Sequence, residues 1–284
     1  MIISSLIGHN EQRSRLSSLI SKGTLAHSNL LVGPRGIGKS MVAKELALAL
    51  LCDNSPTGEA YNSCESCRLL KSGNHPDYYM IECESVGFNA EQARELLHSI
   101  NLAPYRSKSR VIILNNADNL STVVANLLLK NLEEPRKDTF FFLIAANSSR
   151  LPLPVVSRCQ TWRFARLQDD EIREALIDIE NQALIEDLVE LANGSLENIK
   201  DIESFIPLWE STKDKLAKII SGDSYLALNY ASELAKDKEQ IASNLKLIRL
   251  FIASKLALEE QPAKQLVLGC LLFALCLWLT RWHN

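Results

Sequence analysis

The sequence has little that could cross a bilayer. The only long uncharged apolar run, residues 266–279 (LVLGCLLFALCLWL), is interrupted by Gly269 and falls short of the roughly 18–20 residues a spanning helix needs. A buried core helix is expected there, the alternative being a short tail anchor. The first residues, MIISSLIGHNEQRSRLSS, lack the basic segment, sustained apolar stretch and small-residue cleavage site of a secretory leader, so a cytoplasmic chain without membrane association is expected. In that compartment seven cysteines, an odd number, point to thiols or a metal rather than to disulfides. Internal repeats and low-complexity blocks are missing, and the balance of charged and hydrophobic residues excludes the fibrous and disordered classes. What is present, 284 residues with 46% hydrophobic side chains, suffices for two domains or three small ones with real cores.

A large net charge is missing too: 31 Lys+Arg face 34 Asp+Glu, a net of −3. The charge is unevenly placed. Residues 1–165 carry 18 basic and 14 acidic groups (+4), and 166–284 carry 13 and 20 (−7). A mildly basic front half suits an anionic ligand such as a phosphate, but is too weak to argue duplex binding by itself.

Ser28-Asn29-Leu30-Leu31-Val32, Val111-Ile112-Ile113-Leu114 and Phe140-Phe141-Phe142-Leu143-Ile144-Ala145 are continuous apolar runs. Helical patterns lie between them, at 41–51 and 122–132. Unalternating runs separated by helices are the mark of a parallel sheet buried on both faces. Residues 1–165 are therefore expected to form an α/β doubly wound domain. From Asp169 onward only helical segments are expected, with an N-cap at Asp169 and a stop at Asn193-Gly194, which makes the fold class α/β followed by all-α.

Gly33-Pro34-Arg35-Gly36-Ile37-Gly38-Lys39-Ser40 satisfies G-x-x-x-x-G-K-[ST] between an expected strand and an expected helix. Gly33, Gly36 and Gly38 let backbone N–H groups close around phosphate oxygens at the positive end of the helix. Lys39 would reach the β and γ phosphates of ATP or ADP, and Ser40 would hold Mg²⁺. Hydrolysis further needs an acid for the metal and another to orient water. Where those acids are expected, the second strand runs into Asn115-Asn116-Ala117-Asp118. An amide carries no charge and is no base at neutral pH. Asp118 could replace the metal ligand, though three positions on it would sit beyond the strand end. Binding without turnover is the expectation.

Several ordered segments then carry a family resemblance: Ile7-Gly8-His9, Leu25-Ala26-His27, Gly73-Asn74-His75-Pro76-Asp77, the run from Ala125-Asn126-Leu127 to Glu133-Glu134-Pro135, and Val156-Ser157-Arg158-Cys159. Over residues 5–200 the chain resembles AAA+ clamp-loader proteins, and among them the delta-prime family of bacterial DNA polymerase III. The resemblance implies an AAA+ domain at 1–165 with a cysteine-bearing insert at 52–80, a helical lid at 166–205 and a helical oligomerisation collar at 206–284. It implies that Arg158 acts as an arginine finger in a neighbouring subunit's ATP site, for which a rigid, permanently charged guanidinium is suited; a surface salt bridge is the alternative. It places Asn147 at the sensor position for the γ-phosphate, where a local hydrogen bond is the other possibility. At Glu197 active motors often carry an Arg instead, a second loss of catalytic equipment beside Asn115 and Asn116.

Relatives of that kind carry a four-cysteine zinc module in the insert. Here Cys52, Cys64 and Cys67 stand with Tyr61 in the remaining place. Two alternatives stay open: zinc on three sulfurs with a fourth ligand from water, His75 or Cys83, or an insert held by packing of Tyr61, Leu69 and Leu70. Cys159, Cys270 and Cys276 are expected to be buried. Arg106, Lys108 and Arg110 form a basic cluster, expected to be a solvated loop rather than a phosphate contact.

The resemblance thus implies a non-hydrolysing stator that supplies Arg158 in trans. Its implied partners are gamma/tau-like motor subunits and delta, a sliding clamp and, through the assembly, primed DNA. The competing functions are an active gamma/tau-like ATPase motor, disfavoured by Asn115-Asn116, and a P-loop kinase, which would leave Ser157-Arg158-Cys159 unexplained.

Overall fold

The computed structural model describes residues 7–54, 63–83, 88–177 and 182–199, together with 209, 211–216 and 218. The expected collar at 206–284, the apolar run at 266–279 with Cys270 and Cys276, and Tyr61 lie wholly or almost wholly outside the described residues. Among the described residues no helix is long and apolar enough to cross a membrane. By compactness the chain divides into one unit of Met1–Glu180 with Asn193–Asn198, and a second of Asn181–Ala192 with Ile199–Asn284.

The first unit is a five-stranded parallel sheet in the order β2-β3-β4-β1-β5. Its strands are β1 (Ser28–Val32), β2 (Tyr78–Glu82), β3 (Arg110–Asn115), β4 (Thr139–Ala145) and β5 (Gln160–Arg163). The helices are α1 (Asn10–Ser21), α2 (Lys39–Leu51), α3 (Glu65–Lys71), α4 (Ala90–Ile100), α5 (Thr122–Glu133), α6 (Leu153–Val156) and α7 (Asp169–Ala175). The expected α/β P-loop domain is thus present. The three central strands are the three apolar runs, and they alternate only in which face they serve. Leu30, Ile112, Leu114, Phe141 and Leu143 pack with α4 and α5 on one side, and Leu31, Val111, Ile113, Phe142 and Ile144 pack with α1 and α2 on the other. Both faces are dry, which is why the runs are apolar; the buried Ser28 and Asn29 at the start of β1 are satisfied by the Leu132 and Ala26 carbonyls and by Trp162.

The two edge strands escape that pattern. In β5 only Trp162 is buried, and β2 is half-buried along its length. Helix α5 opens on Ser121, whose hydroxyl accepts the Val124 N–H, and α4 opens on a capping box of Asn89 and Gln92. The cap of α7 is Gln168, paired with Glu171, rather than the expected Asp169. Asp169 instead joins Asp170 and Glu171 in the first turn, where negative charge suits the helix dipole. In the second unit α8 (Gln182–Ala192) is followed by Asn193 and Gly194, both with positive φ. That is the expected stop.

Candidate nucleotide-binding site

Strand β1 ends at Val32 and α2 begins at Lys39, so residues 33–38 form a tight loop at the helix's amino end. The loop admits no side chain at two of its glycines. A Cβ at Gly33 would lie 2.2 Å from the Phe164 carbonyl oxygen; one at Gly36, where φ is +71°, would lie 2.2 Å from both Ser195 Oγ and Glu197 Cβ. Gly38 caps α2 in the left-handed conformation. His9 braces the loop from beneath, its Nε2 bonded to the Ile37 carbonyl at 2.7 Å and its ring set edge-on to Phe164. The Ile7-Gly8-His9 segment thereby acquires a physical role.

Lys39 is buried, with Nζ donating to the Gly33 carbonyl at 2.7 Å and to the Pro34 carbonyl. Burial lowers its pKa to about 8, against the pull of Asp118 and Glu197, with Arg35 acting in the same direction as burial. Ser195 Oγ donates to the Arg35 carbonyl at 3.0 Å. The loop, its lysine and the start of α2 form a cradle of N–H donors with one ammonium inside, suited to polyphosphate. Ser40 stands on the first turn of α2.

At the end of β3 the amides are committed elsewhere. Asn115 Nδ2 donates to both oxygens of Glu82 at 2.9 and 2.8 Å, and Asn116 Nδ2 to one of them at 3.3 Å. Glu82 ends β2, the register partner of Asn115. Asn116 has φ +54° and starts a 3-10 turn, Ala117–Asn119. That turn buries Asp118, whose two carboxylate oxygens have no hydrogen-bond partner. Asn147, after β4, accepts from Ser149 N and Oγ at 2.9 and 2.7 Å, the local bond that was one of its two expected roles.

Arg158 follows α6 on an exposed turn. Its Nε pairs with Glu133 at 2.8 Å, and a terminal nitrogen donates to the Pro154 carbonyl at 3.1 Å. The salt bridge expected as one alternative is therefore present. It holds the guanidinium in a fixed direction while leaving it about a third exposed. Cys159 beside it is half-buried, its thiol pushed up to about 12 by burial.

The sulfurs of Cys52, Cys64 and Cys67 lie within 4.8 Å of one another, and Cys52 and Cys64 are 3.8 Å apart. Tetrahedral zinc with Zn–S bonds of about 2.3 Å needs sulfurs about 3.8 Å apart, so the donor set can hold such a metal. Neither expected fourth ligand joins it. His75 uses both ring nitrogens, Nδ1 accepting from Asp77 N and Nε2 bonding Ser107 Oγ, each at 3.1 Å. Cys83 is buried at the end of β2, its thiol raised to about 12 by burial and by Glu82 and Asp118. Cys64 also caps α3 through the Cys67 N–H.

The basic cluster before β3 is a solvated loop only in part: Arg106 and Lys108 are exposed, but Arg110 turns inward. Arg110 is buried and donates to the carbonyls of Ser99, Leu102 and Ala103 and to Asp77. Asp77 accepts the backbone N–H groups of Tyr105, Arg106 and Ser107 at 2.6, 2.8 and 2.9 Å. Arg106 bonds Ser66, Asp53 and Glu65, tying the cysteine insert to this edge of the sheet. Sequence reasoning quoted Asp77 only within a motif and missed its role, as it missed Glu82 and the inward turn of Arg110, because each works through a partner roughly 30 residues away.

Residues 8–168, more than half of the chain, match the family described as DNA polymerase III, delta subunit. The chain belongs to that family. It is 35% identical over 173 residues to DNA polymerase III subunit delta' of Bacillus subtilis (strain 168), covering 60% of this chain and 52% of that protein. With the delta' subunit of Pseudomonas aeruginosa it shares 34% over 199 residues, 65% of this chain and 58% of the relative. The chain thus spans somewhat over half the length of these relatives. It is also 29% identical over 195 residues to subunit tau of Bacillus subtilis (strain 168), 68% of this chain and 34% of that protein. Among solved structures it resembles a DNA polymerase III gamma subunit-related protein of Thermotoga maritima, with TM-score 0.48 and 18% identity over 92% of this chain and 91% of that one. The family match and the two delta' relatives make it a DNA polymerase III subunit-related chain.

Proposed function

We propose that this chain is the delta-prime-like stator of a cytoplasmic DNA polymerase III clamp loader: it holds nucleotide without hydrolysing it and supplies Arg158 in trans to a gamma/tau-like neighbour. The observation that carries the proposal is the end of β3. There Asn115 and Asn116, both amides, are spent on Glu82, so the strand end itself supplies no carboxylate to activate the attacking water. Arg158, pinned by Glu133 and the Pro154 carbonyl yet partly exposed, is preset to meet a phosphate on another subunit. Residues 1–165 are the P-loop domain, 166–205 the lid and 206–284 the collar. Partners are the motor subunits and delta, and through them the sliding clamp and primed DNA. Cys52, Cys64 and Cys67 bind zinc, which would tie the end of α2 to α3.

The test is ATP hydrolysis stimulated by clamp and primed DNA, measured for the isolated chain and for the full assembly with wild type or Arg158→Ala. The isolated chain should be silent, and Arg158→Ala should lower turnover by about 10³-fold in an assembly that still forms. Hydrolysis by the isolated chain that disappears on Lys39→Ala would make it a motor instead.

A further inference from the structure

The loss of acids at Asn115 and Asn116 leaves a question of charge, because a nucleotide at this loop would bring a divalent cation that needs an anionic ligand. Among the described residues Glu197 beside Gly36 and Glu82 at the end of β2 are exposed, and one carboxylate near the loop is buried. Asp118 is only 9% exposed, yet both carboxylate oxygens lack any hydrogen-bond partner. A buried carboxylate in that state costs several kcal/mol unless something else satisfies it. Its location is fixed by the left-handed turn at Asn116, which bends the chain back after β3 and seats residues 117–119 against the end of the sheet. Asp118 is the foremost opposite charge acting on the Lys39 ammonium, ahead of Glu197, although the two form no ion pair. It also acts on Cys83 at the end of β2. The buried carboxylate is thus near enough to both the phosphate-loop lysine and the end of β2 to act on their charges, while the two amides bond Glu82 on the edge strand.

We infer that Asp118 is the protein's anionic ligand for the divalent cation accompanying nucleotide at residues 33–40, taking over from the strand-end position that Asn115 occupies. The inference rests on the nucleotide-binding reading above. It is compatible with absent turnover, since a carboxylate engaged with a cation does not free a base for the attacking water. Ser40, on the first turn of α2, would supply the neighbouring oxygen.

The experiment is a titration of the full chain with fluorescent ADP, in magnesium and in EDTA, for wild type, Asp118→Asn, Asn115→Ala and Lys39→Ala. The Asp118→Asn change is nearly isosteric and removes an unpaired buried charge, so that variant should melt no lower than wild type without nucleotide. For wild type and Asn115→Ala, magnesium should tighten binding about tenfold or more. Asp118→Asn should bind equally in both buffers, at the affinity wild type shows in EDTA. A magnesium gain retained in Asp118→Asn, or missing from wild type that still binds in a Lys39-dependent way, overturns this inference and leaves the phosphate-loop reading standing. No Lys39-dependent binding in either buffer overturns both.

Discussion

Asp77 is a stability determinant open to direct test. Its carboxylate is fully buried, takes three backbone N–H groups from residues 105–107 and faces Arg110, itself 3% exposed. Asp77→Asn keeps the shape, turns an NH₂ towards a row of donors and leaves Arg110 as a buried cation without a counter-charge. Removing one partner of a buried pair costs about 3–5 kcal/mol. Arg110 keeps three carbonyl acceptors, which places the expected loss near the lower end, about 3 kcal/mol. At roughly 2–4 °C per kcal/mol for a domain of this size, the melting temperature of the full chain should fall by about 6–12 °C. The double variant Asp77→Asn/Arg110→Met should recover part of that loss, because no orphaned charge is left. The effect also carries a pH signature. Burial alone would raise the Asp77 pKa, but its hydrogen bonds and Arg110 hold it below the ordinary 3.8. A depressed folded-state pKa gives stability that is complete above the unfolded value and fades as pH falls below it. Wild type should therefore lose more stability than Asp77→Asn on acidification below about pH 4. Thermal melts monitored by circular dichroism read all three effects. A fall under about 2 °C, or a double variant no better than the single one, would refute the reasoning.

Gly36→Ala forces a left-handed alanine against Ser195 and Glu197. It should cost about 2 kcal/mol and weaken nucleotide binding, seen in melts and in the fluorescent titration. Because the folded-state pKa of Lys39 is lowered to about 8 from 10.5, wild type should gain stability relative to Lys39→Met as pH rises between those values, where the unfolded chain binds more protons. Equal slopes for the two proteins would exclude a buried ammonium. Zinc added to the reduced chain should bind at one equivalent, and Cys64→Ser should weaken it about tenfold or more in a dye-competition assay; unchanged competition would remove the cluster as a metal site.

The central strands were legible because a sheet dry on both faces forces continuous apolar runs: β1, β3 and β4 each coincide with one. The phosphate loop was legible because its glycines answer to steric contacts with Phe164, Ser195 and Glu197. Strand β5 was not, since a lone buried Trp162 among Gln160, Thr161 and Arg163 has no period to detect. The loss of carboxylates at residues 115–116 could be seen in sequence. Their hold on Glu82 could not, because it arises from the parallel register of β2 on β3. Asp118 does sit beyond the strand end, as its position along the chain implies; its burial could not be read there, because it follows from the left-handed turn at Asn116. Arg106 and Arg110 looked like a solvated cluster because their acceptors, chiefly Asp77, Asp53 and Glu65, are supplied from other segments.

Residues 193–198 belong with the phosphate loop's unit, while the chain on either side of them belongs to the other. Ser195, bonded to the Arg35 carbonyl, lies in this short span. A change at Ser195 is therefore a change to the phosphate loop's own unit, although the chain on both sides of residues 193–198 is counted with the other.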